Sequence, residues 1–274
     1  VPELPEVEVV RRGLEPYVVG RTFESVEVLH PRATRGQDAP LGELIVGARV
    51  RAVARRGKYM WLELADEPAA DPARNVVFIH LGMSGQLRVG HNDSAHVRIR
   101  TRLSGGVELD FIDQRTFGRW HFGPLATISH IARDPLDPNF DIAAAARRIT
   151  AKKVPIKTVL LDQTVVSGIG NIYADEALWL AGLDPRKRAS ALRQYRAREV
   201  IESAAAVMRT ALAAGGTSFD SLYVNVNGES GYFSRDLNAY GRAGLPCRRC
   251  GSLLQRRVLG GRSTSYCPQC QTFG

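Results

Sequence analysis

All four cysteines of the chain fall in one pattern, Cys247-x2-Cys250-x16-Cys267-x2-Cys270. Two CxxC corners at this separation match a tetrahedral four-thiolate zinc site, each corner being a tight turn. The competing reading is two disulfides. It requires an oxidising compartment, and the first residues carry no basic-then-apolar secretory pattern. Four sulfurs close the coordination shell, so the Zn2+ is structural: it holds a small β-hairpin too short to bury a core of its own. Arg262 lies between the two corners, near the expected hairpin tip, where it could grip a phosphate.

The remaining composition bounds the partner. The net charge is +9, which favours a polyanion. From Gly241 onward Arg242, Arg248, Arg249, Arg256, Arg257 and Arg262 occur without an Asp or Glu. No apolar run reaches the ~18 residues of a membrane span, and a cytoplasmic location is expected.

The hydrophobic period changes along the chain. Val7, Val10, Leu14, Tyr17 and Val18 recur at helical steps and predict a helix over 6–18. Residues 96–103 alternate with period two. Similar short runs near 23–29, 48–54, 58–64, 76–81, 86–89 and 107–112 predict a β-sandwich. Asp134-Pro135-Leu136-Asp137-Pro138 marks a boundary, after which helices are expected at 141–150, 155–163, 172–181 and 189–214. The fold class is therefore α+β, and Gly215-Gly216 stops the last helix.

The first residues, Val1-Pro2-Glu3-Leu4-Pro5-Glu6, carry chemistry as well as a helix start. An α-amine titrates near 7.7–8.0, far below lysine, so an exposed proline nitrogen is partly neutral at pH 7 and can attack an aldehyde-like carbon. The resulting iminium has no N–H to lose and remains an electron sink. Glu3 and Glu6 supply carboxylates for proton transfer. While Val1 is attached, the Pro2 nitrogen is an amide and inert. Val1 is read as a GTG start, translated as methionine and removed.

Several motifs occur together: Pro2-Glu3-Leu4-Pro5-Glu6-Val7-Glu8, Gly57-Lys58-Tyr59, His80-Leu81-Gly82-Met83-Ser84-Gly85 and Asp113-Gln114-Arg115-Thr116-Phe117-Gly118. Val166 to Ala177, Gly231-Tyr232-Phe233 and the cysteine site follow in order. Over nearly its whole length the chain resembles the bacterial formamidopyrimidine-DNA glycosylases, which remove 8-oxoguanine and also act as AP lyases.

The resemblance implies an N-terminal catalytic β-sandwich over 1–134, a helical domain with a helix–two-turn–helix over 135–240, and a zinc finger over 241–274. It implies a bifunctional base-excision enzyme acting on double-stranded DNA as a monomer, cleaving the strand by β,δ-elimination through a Schiff base on Pro2. Glu3 would be the general acid/base, Glu6 would order the terminus, Lys58 would donate a proton in β-elimination, and Arg262 would serve δ-elimination. Met83, Arg115 and Phe117 would enter the base stack and offset the cost of flipping the damaged nucleotide out. Lys152, Lys157, Asn171 and His96 would contact the DNA backbone. Thr217, Ser218 and Tyr232 would read the lesion.

Other readings stay open. Lys58 alone reads as a surface lysine, Met83 and Phe117 alone as core, and Gly168-Ile169-Gly170 alone as a plain turn. A catalytically silent damage-binding protein would use the same fold and wedge. Charge and cysteines alone would suit an RNA-binding zinc ribbon. The endonuclease VIII branch, which acts on oxidised pyrimidines, shares the Pro-Glu-Leu-Pro-Glu start, but Val7-Glu8 and the segment from Gly215 to Phe233 resemble the oxidised-purine branch.

Overall fold

The computed structural model describes residues 2–67, 71, 73–216, 226 and 237–273. They form two compact units. The first holds the described residues up to Ser129 together with Gly215, Gly216 and Val226; the second holds His130–Ala214 and 237–273.

The first unit is a β-sandwich with one long helix. Helix α1 (Leu4–Val18) buries Val7, Val10, Leu14 and Val18, the positions that three- and four-residue spacing places on one face. Strands β1 (Phe23–Val28), β5 (Gln86–Val89), β6 (Val97–Leu103) and β7 (Val107–Ile112) form one sheet in the order β1-β6-β7-β5. Strands β2 (Val50–Arg56), β3 (Tyr59–Leu64), β4 (Asn75–His80) and β8 (Arg119–Pro124) form the other, in the order β2-β3-β4-β8. Both sheets are antiparallel throughout. Their inner residues, among them Leu62, Val77, Ile99, Phe111 and Trp120, share one core with α1. The alternation of β6 (Val97, Ile99, Thr101 and Leu103 buried) is the period-two pattern of the sequence. Strand β8 was not anticipated. It lies at the sheet edge, where a proline costs no ladder bond. A short helix, α2 (Leu41–Ile45), was also not anticipated.

The second unit is helical, with a terminal hairpin. It comprises α3 (Ile142–Thr150), α4 (Ile156–Leu160), α5 (Asn171–Leu180), α6 (Gln194–Ala213), and the strands β9 (Gln255–Leu259) and β10 (Arg262–Tyr266). Helices α3 and α5 both pack on α6, burying Tyr173, Ala177, Leu178, Ile201, Ala204 and Met208. The helix expected over 189–214 is interrupted. Residues 189–191 form a 3-10 turn, and Leu192 is extended and buried, so α6 starts only at Gln194. The tertiary bond from Ala189 N to Val154 O overrides the helical propensity of this alanine-rich stretch. No described helix is long and apolar enough to cross a membrane.

Candidate functional site

In the first unit the N-terminus of α1 gathers the acidic residues. Glu3 is the N-cap and Glu6 stands at the third helical position, together forming a capping box. Glu6 Oε2 accepts from Glu3 N at 2.9 Å, and both side chains are buried. This fixes the backbone immediately after Pro2, itself buried. Gly216 stands beside this cap: a Cβ there would lie 3.7 Å from Glu6 Cα. Lys58 is half-buried in the two-residue turn joining β2 and β3, set by the pairing of Arg56 with Tyr59. Gly57 leads the turn with φ of 58°, a conformation that favours glycine.

Met83, Arg115 and Phe117, the residues expected to enter the base stack, lie together on two interlocked loops. Met83 is 38 % exposed and Phe117 46 %, so the core reading of both is set aside. Arg115 Nη1 approaches Met83 Sδ at 3.9 Å. Asp113, fully buried, organises both loops. Its Oδ1 accepts from Ser84 Oγ and from Arg115 N at 3.2 Å, and its Oδ2 from Gly118 N at 2.7 Å. The loops approach so closely that a Cβ on Gly82 would lie 2.5 Å from Gly118 N. Thr116 is held at φ 55°, a costly conformation for a β-branched residue. Arg35 spans the loop, donating to the carbonyls of Phe117 at 2.9 Å and Gly118 at 3.2 Å. His80 Nδ1 accepts from Gly82 N at 3.2 Å. Burial, then the nearby Arg119 and Arg35, hold the His80 pKa below the usual imidazole value. His96 joins this end of the sandwich: its ring stands 3.2 Å from Arg98 Nη2, and Arg98 Nε donates to Asp113 O at 2.7 Å.

In the second unit Asn171 is the first residue of α5, behind Gly170. Gln163 fixes the preceding loop, accepting from Gly168 N and donating to Ile169 O, each at 2.9 Å. Asn171 Oδ1 is buried and unpaired among the described residues. The backbone N–H groups at a glycine-led helix start suit an anion. Lys152 is exposed, 3.5 Å from Asp162. Lys157 corrects the expectation of a backbone contact. It is 0 % exposed, with its ammonium 2.6 Å from Asp175 Oδ1 and 2.9 Å from Ser263 O. A lysine neutralised and enclosed in this way offers no charge to a phosphate; it seats β10 instead.

Arg262 is exposed at the start of β10, paired with Leu259 across the Gly260-Gly261 turn. The strand it heads is fixed by Ser265 N donating to Asp175 Oδ2 at 2.9 Å. Glu176 accepts from the backbone N–H groups of Asn238, Ala239 and Tyr240, anchoring the segment that leads to the first cysteine corner. The four Sγ atoms lie within 4.8 Å of one another. Cys247 and Cys270 are 4.0 Å apart and Cys250 and Cys267 3.5 Å, close to the edge of about 3.8 Å that a Zn–S bond of about 2.3 Å gives a tetrahedron. Arg249 N, Trp179 Nε1 and Cys270 N donate to these sulfurs, as thiolates require. The donor set therefore fits a structural Zn2+.

Sequence reasoning assigned no role to Arg35, Arg55, Ser84, Asp113, Asp175 or Glu176. Four of these lie inside the quoted motifs, and that membership was the available signal; nothing local marks Arg35 or Arg55. Thr217, Ser218 and Tyr232, like Val1, lie outside the described residues.

The N-terminal domain model of formamidopyrimidine-DNA glycosylase matches residues 1–120, the H2TH domain model of the same enzyme 131–222, and the zinc finger found in FPG and IleRS 244–272. The chain belongs to the formamidopyrimidine-DNA glycosylase family. It is 65 % identical to the formamidopyrimidine-DNA glycosylase of Corynebacterium aurimucosum, over 100 % of this chain and 97 % of that one. Among solved structures, the MutM (Fpg) protein of Thermus thermophilus superposes with a TM-score of 0.85 at 35 % identity, covering 98 % of each chain. A Lactococcus lactis Fpg mutant bound to Fapy-dG containing DNA superposes with a TM-score of 0.87 at 32 % identity, over 99 % of this chain and 100 % of that one. The family expected from the motifs is therefore the one found, with its zinc finger.

Proposed function

We propose that this glycosylase excises oxidised purines, 8-oxoguanine and formamidopyrimidines, from duplex DNA and then cleaves the strand as an AP lyase. With Val1 removed, the Pro2 nitrogen attacks C1′ of the flipped nucleotide as the glycosidic bond breaks. The base leaves with the bonding electrons and takes up a proton. Opening of the sugar ring, with a proton delivered to O4′, leaves an iminium. Loss of a C2′ proton then expels the 3′ phosphate, and a second elimination expels the 5′ phosphate. Glu3 moves protons at the sugar, Glu6 holds Glu3 in place, Lys58 serves β-elimination and Arg262 δ-elimination. Met83, Arg115 and Phe117 fill the space vacated by the base. Lys152, Asn171 and His96 hold phosphates, and Thr217, Ser218 and Tyr232 recognise the lesion. The domains are 1–134, 135–240 and 241–274, and the enzyme works as a monomer on the bacterial chromosome.

The observation that carries this reading is the buried Glu3–Glu6 capping box, which fixes two carboxylates beside a proline two residues into the chain. The test is borohydride reduction on an 8-oxoguanine duplex. A covalent adduct is expected with the processed chain and is lost with Pro2→Gly, while duplex binding persists. Equal trapping by Pro2→Gly would refute the nucleophile; no adduct at all, with binding intact, would indicate the silent damage binder.

A further inference from the structure

Lys58 sits on a hairpin turn, and Pro2 sits at a helix end. Proton transfer by Lys58 to a sugar held on Pro2 needs the two kept in one frame to within about 1 Å. Resting on the reading of Lys58 above, we propose that Glu8 and Arg55 are a positioning pair that locks the Lys58 turn to the helix carrying the nucleophile.

The geometry is a relay of three groups. Arg55 Nε donates to Glu8 Oε2 at 2.9 Å, and both side chains are only 10 % exposed. The same guanidinium reaches the other way: its Nη1 donates to Gly57 O at 2.8 Å. That carbonyl belongs to the peptide plane shared with Lys58 N, so fixing it sets the direction in which the Lys58 side chain departs. Glu8 is five residues beyond Glu3 on one continuous helix, a rigid span of about 7.5 Å. Arg11 adds a second link from the same helix, donating to Glu8 on one side and to Val53 O of β2, at 3.1 Å, on the other. Arg12 completes the set around Glu8 at 2.7 Å.

The carboxylate serves no proton transfer. Burial alone would raise its pKa, but hydrogen bonds from Arg11, Arg55 and Arg12 hold it down at about 2. Glu8 thus stays ionised where Glu3 is proposed to move protons, and acts as a fixed anchor. A lysine at position 55 could neutralise Glu8, but a single ammonium has no planar fork to reach Gly57 O as well.

The test is a double-mutant cycle on the zinc-loaded full chain, read as single-turnover strand cleavage of an abasic-site duplex, with thermal unfolding followed in parallel. Arg55→Ala is expected to slow the first elimination about tenfold when Lys58 is present and less than about twofold in a Lys58→Ala background, because coupled residues are non-additive. Arg55→Lys is expected to regain thermal stability while elimination stays slow, and it carries the test if Arg55→Ala does not fold. Equal slowing by Arg55→Ala in both backgrounds, or full rescue by Arg55→Lys, would overturn the positioning role and leave the reading of Lys58 standing. Unimpaired elimination by Lys58→Ala alone would remove that reading and the proposal with it.

Discussion

The ammonium of Lys157 lies 2.6 Å from the carboxylate of Asp175, and both side chains are withdrawn from solvent. The pair joins α4 to α5, and each partner also grips β10, Lys157 through Ser263 O and Asp175 through Ser265 N. Removing one member strands the other as an unpaired buried charge. Asp175→Ala is therefore expected to destabilise the chain by about 3–5 kcal/mol, measured by denaturant unfolding. The apolar double change Lys157→Met with Asp175→Leu is expected to cost much less. A double variant as unstable as Asp175→Ala would mean that the bonds to β10, not the charges, dominate.

Arg35 is expected to act on DNA without touching it. It holds the carbonyls that keep Phe117 exposed and Thr116 strained. Arg35→Ala releases that strain and frees the loop, so binding to a lesion duplex is expected to weaken about tenfold, or ~1.4 kcal/mol. Fluorescence of 2-aminopurine placed opposite the lesion reports insertion into the stack, with Phe117→Ala as the reference. A wild-type fluorescence response from Arg35→Ala would count against the clamp.

Glu8 sets a pH dependence whose sign follows from its shift. Its folded pKa of about 2 lies below the ordinary 4.5. The stability it contributes is fully present above 4.5 and is lost as pH falls towards 2. Glu8→Gln is therefore expected to melt lower than the wild type at pH 7, with the gap closing as the pH falls through that window. A gap unchanged between pH 7 and pH 3 would show that charge is not the source.

Chelation of zinc is expected to unfold the cysteine corners while the β-sandwich core persists, because the finger's own apolar cluster is small (Trp179, Ala239, Cys247, Leu254 and Cys267). The Trp179 indole donates to Cys247 Sγ, so tryptophan fluorescence should change in step with metal loss. DNA affinity should fall at the same point. Affinity that survived verified removal of the metal would separate the finger from binding.

Much of this was legible locally. The apolar stripe of α1, the alternation of β6 and the two cysteine corners are each specified by residues a few positions apart. Strand β8 and the interruption before α6 were not, since an edge position and a bond to Val154 O overrode local preference. The misplacement of Lys157 has the same origin. A lysine shortly before Gly168-Ile169-Gly170 reads as a DNA contact until Asp175, 18 residues on, is seen to pair with it.

The chain alone thus determined most of its elements, among them α1 and β6, and its metal ligands, because period, spacing and functional-group type are short-range properties. Only the tertiary structure decided which charges meet. Glu8 finds Arg55 across 47 residues and Arg35 finds Phe117 across 82. Those partners are selected by strand register and helix packing, which bring distant side chains within hydrogen-bond reach, and no local pattern records that choice.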